Sequence, residues 1–142
     1  PGRPRRASPS VPPLCAASSF PLVGDGYEAD RCEKLEALVG WPEALRDLRV
    51  CMDPGTLSRN CGRCAKCVVL GMFGLLALGR TPPCLPHAIG EAEIRANALA
   101  GDVNWRLRYQ QALTHARRKG VHAPWVDLVE RLLRDSNAAQ AT

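Results

Sequence analysis

No run of this sequence is long and apolar enough to cross a bilayer. The longest, Val68 to Leu78, falls well short of the roughly 20 residues a spanning helix needs, so no membrane partner is expected. No leading apolar segment resembles a secretion signal. Several chemical signatures are also missing. There is no G-x4-G-K-[ST] phosphate loop, no G-x-G-x-x-G, no H-E-x-x-H and no G-x-S-x-G elbow. No local pattern pairs a cysteine with a histidine as nucleophile and base. The chain by itself therefore presents no active site, and whether the whole protein is an enzyme is open at this level. Aromatics are scarce, at 5% of 142 residues, whereas prolines number twelve.

A chain of this length allows one domain, burying roughly two-thirds of its unfolded surface if compact. Nineteen basic against fourteen acidic residues give a net charge of +5. Part of that charge lies in Arg3, Arg5 and Arg6, so the remainder is only mildly basic. Such a balance permits nucleic acid or another anionic partner without requiring one.

What the chain does have is cysteine in a pattern. Four of the seven cysteines, Cys51, Cys61, Cys64 and Cys67, follow a C-x9-C-x2-C-x2-C spacing. A C-x2-C pair on a tight turn brings two sulfurs within reach of one ion, and the third falls on the same side of the helical turn that follows. Cys51 arrives from the preceding segment, because Pro54 and Gly55 fold the intervening stretch back. Four thiolates around a small volume suit a tetrahedral zinc ion, and a site closed by four protein ligands is structural. Gly62 suits the turn, where backbone N–H groups tilt toward sulfur. Arg63 and Lys66 can offset the negative charge of a four-thiolate centre. The competing reading is an iron–sulfur cluster, since C-x2-C-x2-C also opens the bacterial ferredoxin run. That run would need a cysteine where this chain has Gly71. Reduced, unliganded cysteines are the bland alternative, but the stretch is far more polar than the usual setting of a buried thiol. Metal thiolates favour a reducing compartment, and the cytoplasm is the expected location.

In chain order, residues 1–20 are rich in Pro, Ser, Ala and Arg and read as a disordered or extended arm, with Cys15 an incidental thiol. Asp25, in the turn Gly24-Asp25-Gly26, is a candidate cap for a helix starting near Tyr27. Ala29, Cys32, Leu35 and Leu38 recur at helical spacing, so Cys32 is read as core. Gly40 stops that helix, and Trp41-Pro42 starts another with proline in its first turn. The segment after Cys67 is apolar all round and reads as the core helix, fixed at its start by the metal and ended by Gly79. Gly71 and Gly74 suggest close approach of another helix. Arg80 to His87 is a proline-rich loop in which Cys84 and His87 are candidate spare ligands. Further helices are expected over Glu91 to Leu99, from about Asn104 to Lys119 (capped by Asp102 or Asn104 and ended by Gly120), and from Pro124 to about Arg134. The last of these carries Trp125, Leu128, Leu132 and Leu133 on its apolar face. His115 and His122 are read as surface residues. Arg106, Arg108, Arg117, Arg118 and Lys119 give the C-terminal part a basic face, read as solvated rather than as a nucleic-acid surface.

The stretch Arg31 to Gly79 resembles the C-terminal part of ATP-pyrophosphatase (PP-loop, adenine nucleotide alpha-hydrolase-like) proteins, in particular 7-cyano-7-deazaguanine synthases and uncharacterised bacterial relatives. The matching pieces are Arg31-Cys32-Glu33-Lys34-Leu35, Leu48-Arg49-Val50-Cys51 and Asn60-Cys61-Gly62-Arg63-Cys64-Ala65-Lys66-Cys67. The resemblance implies a zinc knuckle at Cys51, Cys61, Cys64 and Cys67, and, in a full-length form, ATP-dependent synthase chemistry on a nucleotide or small-molecule substrate. The S-G-G-x-D-S loop with which that family binds ATP is not in this sequence, so ATP enters only with an upstream half. The Arg that commonly follows the knuckle in the synthases is replaced by Val68 to Leu70.

The expectation is thus a mainly α domain with a four-cysteine zinc knuckle, the C-terminal part of a larger α/β protein. Residues 1–20 form an arm, 21–136 the helical zinc-binding domain and 137–142 a flexible tail. The alternatives are a free-standing zinc module that binds protein or nucleic acid, and an iron–sulfur protein.

Overall fold

The computed structural model of the chain describes residues 28–53, 55, 58–99 and 105–140. The arm, Cys15, the turn at Asp25, and the caps proposed at Asp102 and Asn104 lie outside the described residues. The chain divides into two compact units, 1–30 and 31–142. Of the first, only 28–30 are described, and they are bends or irregular. The helix expected from Tyr27 therefore starts later, at Arg31.

Among its described residues the second unit contains six helices: α1 (Arg31–Ala37), α2 (Pro42–Asp47), α3 (Ala65–Leu78), α4 (Glu91–Leu99), α5 (Trp105–Arg118) and α6 (Pro124–Gln140). Among the described residues there is no strand. The mainly helical architecture is as the periodicities implied.

The organising element is α3. Its sequence offers no polar face, and Cys67 to Gly74, together with Leu76, are all buried. A helix of that composition is stable only when surrounded, and α1, α4 and α5 all pack against it. The long α6 packs on α4 and α5, contributing Trp125, Leu128, Val129 and Leu133 to the core. It continues to Gln140, past the end expected near Arg134 and through residues 137–140 of the expected tail.

Local chemistry sets several of the helix ends. Pro42 occupies the first turn of α2, where its missing N–H costs nothing. The Gly90 N–H donates to Glu93 Oε2 at 2.9 Å, half of a capping box at the start of α4. This bond holds the Glu93 carboxyl below its ordinary range. After α5, the Val121 N–H donates to the Ala116 carbonyl and the Gly120 N–H to the Arg117 carbonyl, with Gly120 at φ +64°. These are the two bonds of a Schellman stop.

The small residues of α3 meet a different neighbour from the one expected. A Cβ at Gly71 would stand 2.3 Å from the Ile89 side chain, and one at Gly74 would stand 2.2 Å from Pro82. Both approaches come from the proline-rich loop between α3 and α4, not from another helix. The loop is apolar at Pro82, Leu85 and Ile89, all buried, so it covers one side of α3 as a helix would. The loop is pinned across its own span where the Ile89 N–H donates to Thr81 Oγ1 at 2.9 Å.

Candidate metal centre

Cys64 caps α3 in an extended conformation, and its carbonyl accepts the first helical bond, from the Val68 N–H. Cys67 follows in the first turn. Cys61 precedes a bend at Gly62, and Cys51 comes in from the segment after α2. The four sulfurs lie within 4.8 Å of one another. Cys64 Sγ is 3.5 Å from Cys67 Sγ and 3.9 Å from Cys51 Sγ, and Cys61 Sγ is 3.9 Å from Cys67 Sγ. A tetrahedral ion at about 2.3 Å from each sulfur places the sulfurs about 3.8 Å apart. The donor set therefore fits a single metal ion, with Cys51 and Cys67 buried and the other two partly so.

Backbone N–H groups point at the sulfurs as a knuckle requires. The Cys64 N–H donates to Cys61 Sγ at 3.3 Å and the Asp53 N–H to Cys51 Sγ at 3.4 Å. Asp53 Oδ1 also accepts the Gly55 N–H at 2.9 Å, the local bond of an Asx turn. Burial pushes the Cys64 thiol up and the Cys67 thiol well above the ordinary range, with the neighbouring sulfurs of Cys64 and Cys61 adding to the effect at Cys67. Four thiolates at these separations repel one another, so full ionisation needs a cation among them.

Gly62 is required twice. Its φ is +77°, and a Cβ there would fall 2.4 Å from His87 Cε1 and 2.9 Å from Pro86 Cγ. His87 thus stands against the knuckle with an exposed ring. Cys84 and His87, the candidate spare ligands, belong to no cluster of converging ligand atoms among the described residues. Cys84 serves through its carbonyl instead, and burial raises its thiol. Arg63 and Lys66 are both exposed.

The residue that sequence reasoning missed is Asn60. It is 3% exposed, and its amide makes four bonds. Its Oδ1 accepts the Val50 N–H at 3.0 Å and the Cys51 N–H at 3.1 Å. Its Nδ2 donates to the Leu48 carbonyl at 2.8 Å and the Cys84 carbonyl at 3.0 Å. One side chain thereby ties the Cys51 arm, the knuckle and the proline-rich loop together. The only sequence cue is an asparagine directly before the C-x2-C pair, because its partners lie 9 to 24 residues away.

A groove of about 320 Å³ lies beside the centre. Leu35, Leu38, Leu48, Val50 and Phe73 are among its lining residues, together with the exposed cations Arg31, Lys34 and Lys66. His115 departs from expectation. The expected surface residue is 5% exposed, because it lies with Ala112 and Ala116 on the buried face of α5 while Arg117 and Arg118 point outward. Cys32, read as core, is fully buried, and His122 is exposed as expected.

Comparison with family models, with characterised proteins and with solved structures gives no match. No helix among the described residues is long and apolar enough to cross a membrane.

Proposed function

We propose that this chain is a structural zinc-binding domain, the C-terminal part of an ATP-pyrophosphatase-like protein whose ATP-binding loop lies outside these residues. The observation that carries the zinc reading is the set of four sulfurs 3.5–3.9 Å apart at the start of the core helix. In a four-iron cluster each thiolate binds a different iron at the corner of a cube, which holds the sulfurs farther apart than one shared ion does. The observed separations favour a single ion, and zinc is the usual occupant of a closed tetrahedral set of four thiolates. Such an ion ties the Cys51 arm to the N-terminus of α3 and completes the packing around it.

The family part of the reading rests on the residues of the Arg31 to Gly79 stretch. The groove beside the centre supports it. An apolar floor with three cations suits a ligand that has a flat apolar body and an anionic group, as a nucleotide does, and in the full-length protein it forms one wall of a substrate cleft. The rival nucleic-acid reading is disfavoured by the basic face of α5, much of which is already engaged within the chain. Arg106 bonds Asn137, Arg117 pairs with Glu130 and Lys119 pairs with Glu36.

Elemental analysis of anaerobically purified protein tests the reading. One zinc at the four-cysteine centre supports it, iron with acid-labile sulfide replaces it with a cluster protein, and an absence of metal overturns it. The family assignment is tested by the reading frame upstream of these residues, where an S-G-G-x-D-S loop is expected.

A further inference from the structure

We propose that Cys32, Glu36 and His115 form a second metal site, for a single divalent ion of the zinc type, with one coordination position open to solvent. Cys32 and Glu36 lie four residues apart on α1, so both project from one face on consecutive turns. His115 comes from the last turn of α5. The Cys32 sulfur, a Glu36 carboxylate oxygen and a His115 ring nitrogen all lie within 4.8 Å of one another, and Cys32 Sγ is 3.7 Å from Glu36 Oε1. Residues about eighty positions apart converge here because α1 and α5 both pack on α3.

The donor set is one sulfur, one nitrogen and one oxygen, which matches the borderline-soft ions headed by Zn2+ and its spectroscopic stand-in Co2+ and does not suit Mg2+ or Ca2+. Three protein ligands leave a tetrahedral ion one position short, as in zinc sites that exchange water or substrate. Two of the three ligands, Glu36 and His115, also line a cleft of about 170 Å³ together with Glu33, Arg118 and Lys119, and solvent would reach the ion from there. The four-cysteine centre has no such opening in its ligand count, so the two sites differ in kind.

The charges balance in both states. In the metal-free arrangement the Cys32 thiol donates to the Glu36 carboxylate, which is matched by the Lys119 ammonium at 2.7 Å. That contact shows that the carboxylate already holds a cation. Loading releases the Cys32 proton to solvent, and the thiolate and carboxylate then neutralise the dication. Lys119, whose side chain is 35% exposed, turns outward into water. Lys119 therefore competes with the metal for Glu36.

The test is a Co2+ titration of the full chain after its resident metal has been counted, with the four-cysteine centre already filled and zinc release followed by a chromogenic chelator. The expected result is one saturable Co2+ per chain without release of resident metal. Its thiolate-to-cobalt band should match one sulfur rather than four. Glu36→Gln, at a partly exposed position, should weaken this binding by at least the roughly ten- to hundredfold that loss of even an outer partner costs. Lys119→Met should tighten it by about threefold or more as the competing cation is removed. Because Glu36 and Lys119 are not core residues, these variants read the site without unfolding it. Absence of a saturable second ion, a four-sulfur spectrum, or affinity unchanged in both variants would overturn the proposal and leave only an internal polar cluster. The resident-metal count reports separately on the four-cysteine centre.

Discussion

The two ends of α3 are held by opposite means. At its N-terminus, the segment from Leu48 to Cys67 has little apolar mass. Exposed Met52, Arg59, Arg63 and Lys66 surround four cysteines and one buried asparagine. Order there depends on directed bonds: N–H to sulfur, Asn60 to four backbone groups and, in our reading, sulfur to metal. Around the rest of α3 and over the α4–α6 layer, order comes from area. Met72, Ile94, Tyr109, Leu128 and Val129 are each at most 1% exposed. The polar groups found there, such as Asn97 and the Tyr109 hydroxyl, are satisfied one contact at a time. Directed bonds fail together when one partner is removed, whereas an apolar layer loses stability in increments.

Removing the metal, or one ligand by Cys64→Ser, should have the largest effect. Structural zinc is worth on the order of 10 kcal/mol to small metal-dependent domains. Amide exchange should become fast over residues 48–67 and the first turn of α3 before it does so in α6. An unchanged melting temperature in Cys64→Ser would contradict the structural role. Equal loss of protection at both ends would erase the contrast between them.

Next come a pair of single substitutions, one in each region. Leu128→Ala should cost about 3 kcal/mol through lost burial and an unfilled cavity. Asn60→Ala should cost a similar amount, about 3 kcal/mol, because it strands two N–H groups and two carbonyls that share one amide. The two should differ in pattern. Urea denaturation of Leu128→Ala should show a lowered midpoint with an unchanged slope, whereas Asn60→Ala should also weaken metal retention in a chelator competition. Full metal affinity in Asn60→Ala would show that the clamp stabilises the loop without organising the ligands.

Tyr109→Phe probes a single buried hydroxyl inside the apolar layer. The hydroxyl donates to the Ile94 carbonyl at 2.8 Å and lies 3.1 Å from Asn97 Oδ1, and burial raises its pKa. Its loss should cost about 1–2 kcal/mol in equilibrium unfolding, with metal affinity untouched.

The smallest effect expected is that of the Glu36–Lys119 pair in metal-free form. The Lys119 hydrogen bond holds the Glu36 carboxyl below its ordinary value. A depressed carboxylate contributes stability above the unfolded-state value and loses it as pH falls through the folded one. Lys119→Met should thus cost less than about 1 kcal/mol at neutral pH. The gap from wild type should close as pH drops below the usual carboxylate range. A gap that persists in acid would mean that Lys119 acts through its aliphatic stem.

Much of this arrangement follows from short stretches of sequence. The spacing of Cys51, Cys61, Cys64 and Cys67 suffices because two-residue gaps on a turn bring sulfurs together almost regardless of what surrounds them. The apolar run from Val68 to Leu78 has no stable environment except an interior one, and Gly79 and Gly120 end helices through backbone freedom that other residues lack. Tertiary packing decided the rest. The position of Asn60 before the C-x2-C pair does not name the four backbone groups it clamps, nothing near Gly71 says that it will meet Ile89, and nothing near His115 says that it will be drawn inward toward Cys32 and Glu36. Those partners are chosen by which helix faces α3 gathers around itself, and that choice is made by the burial of apolar surface distributed over the whole chain.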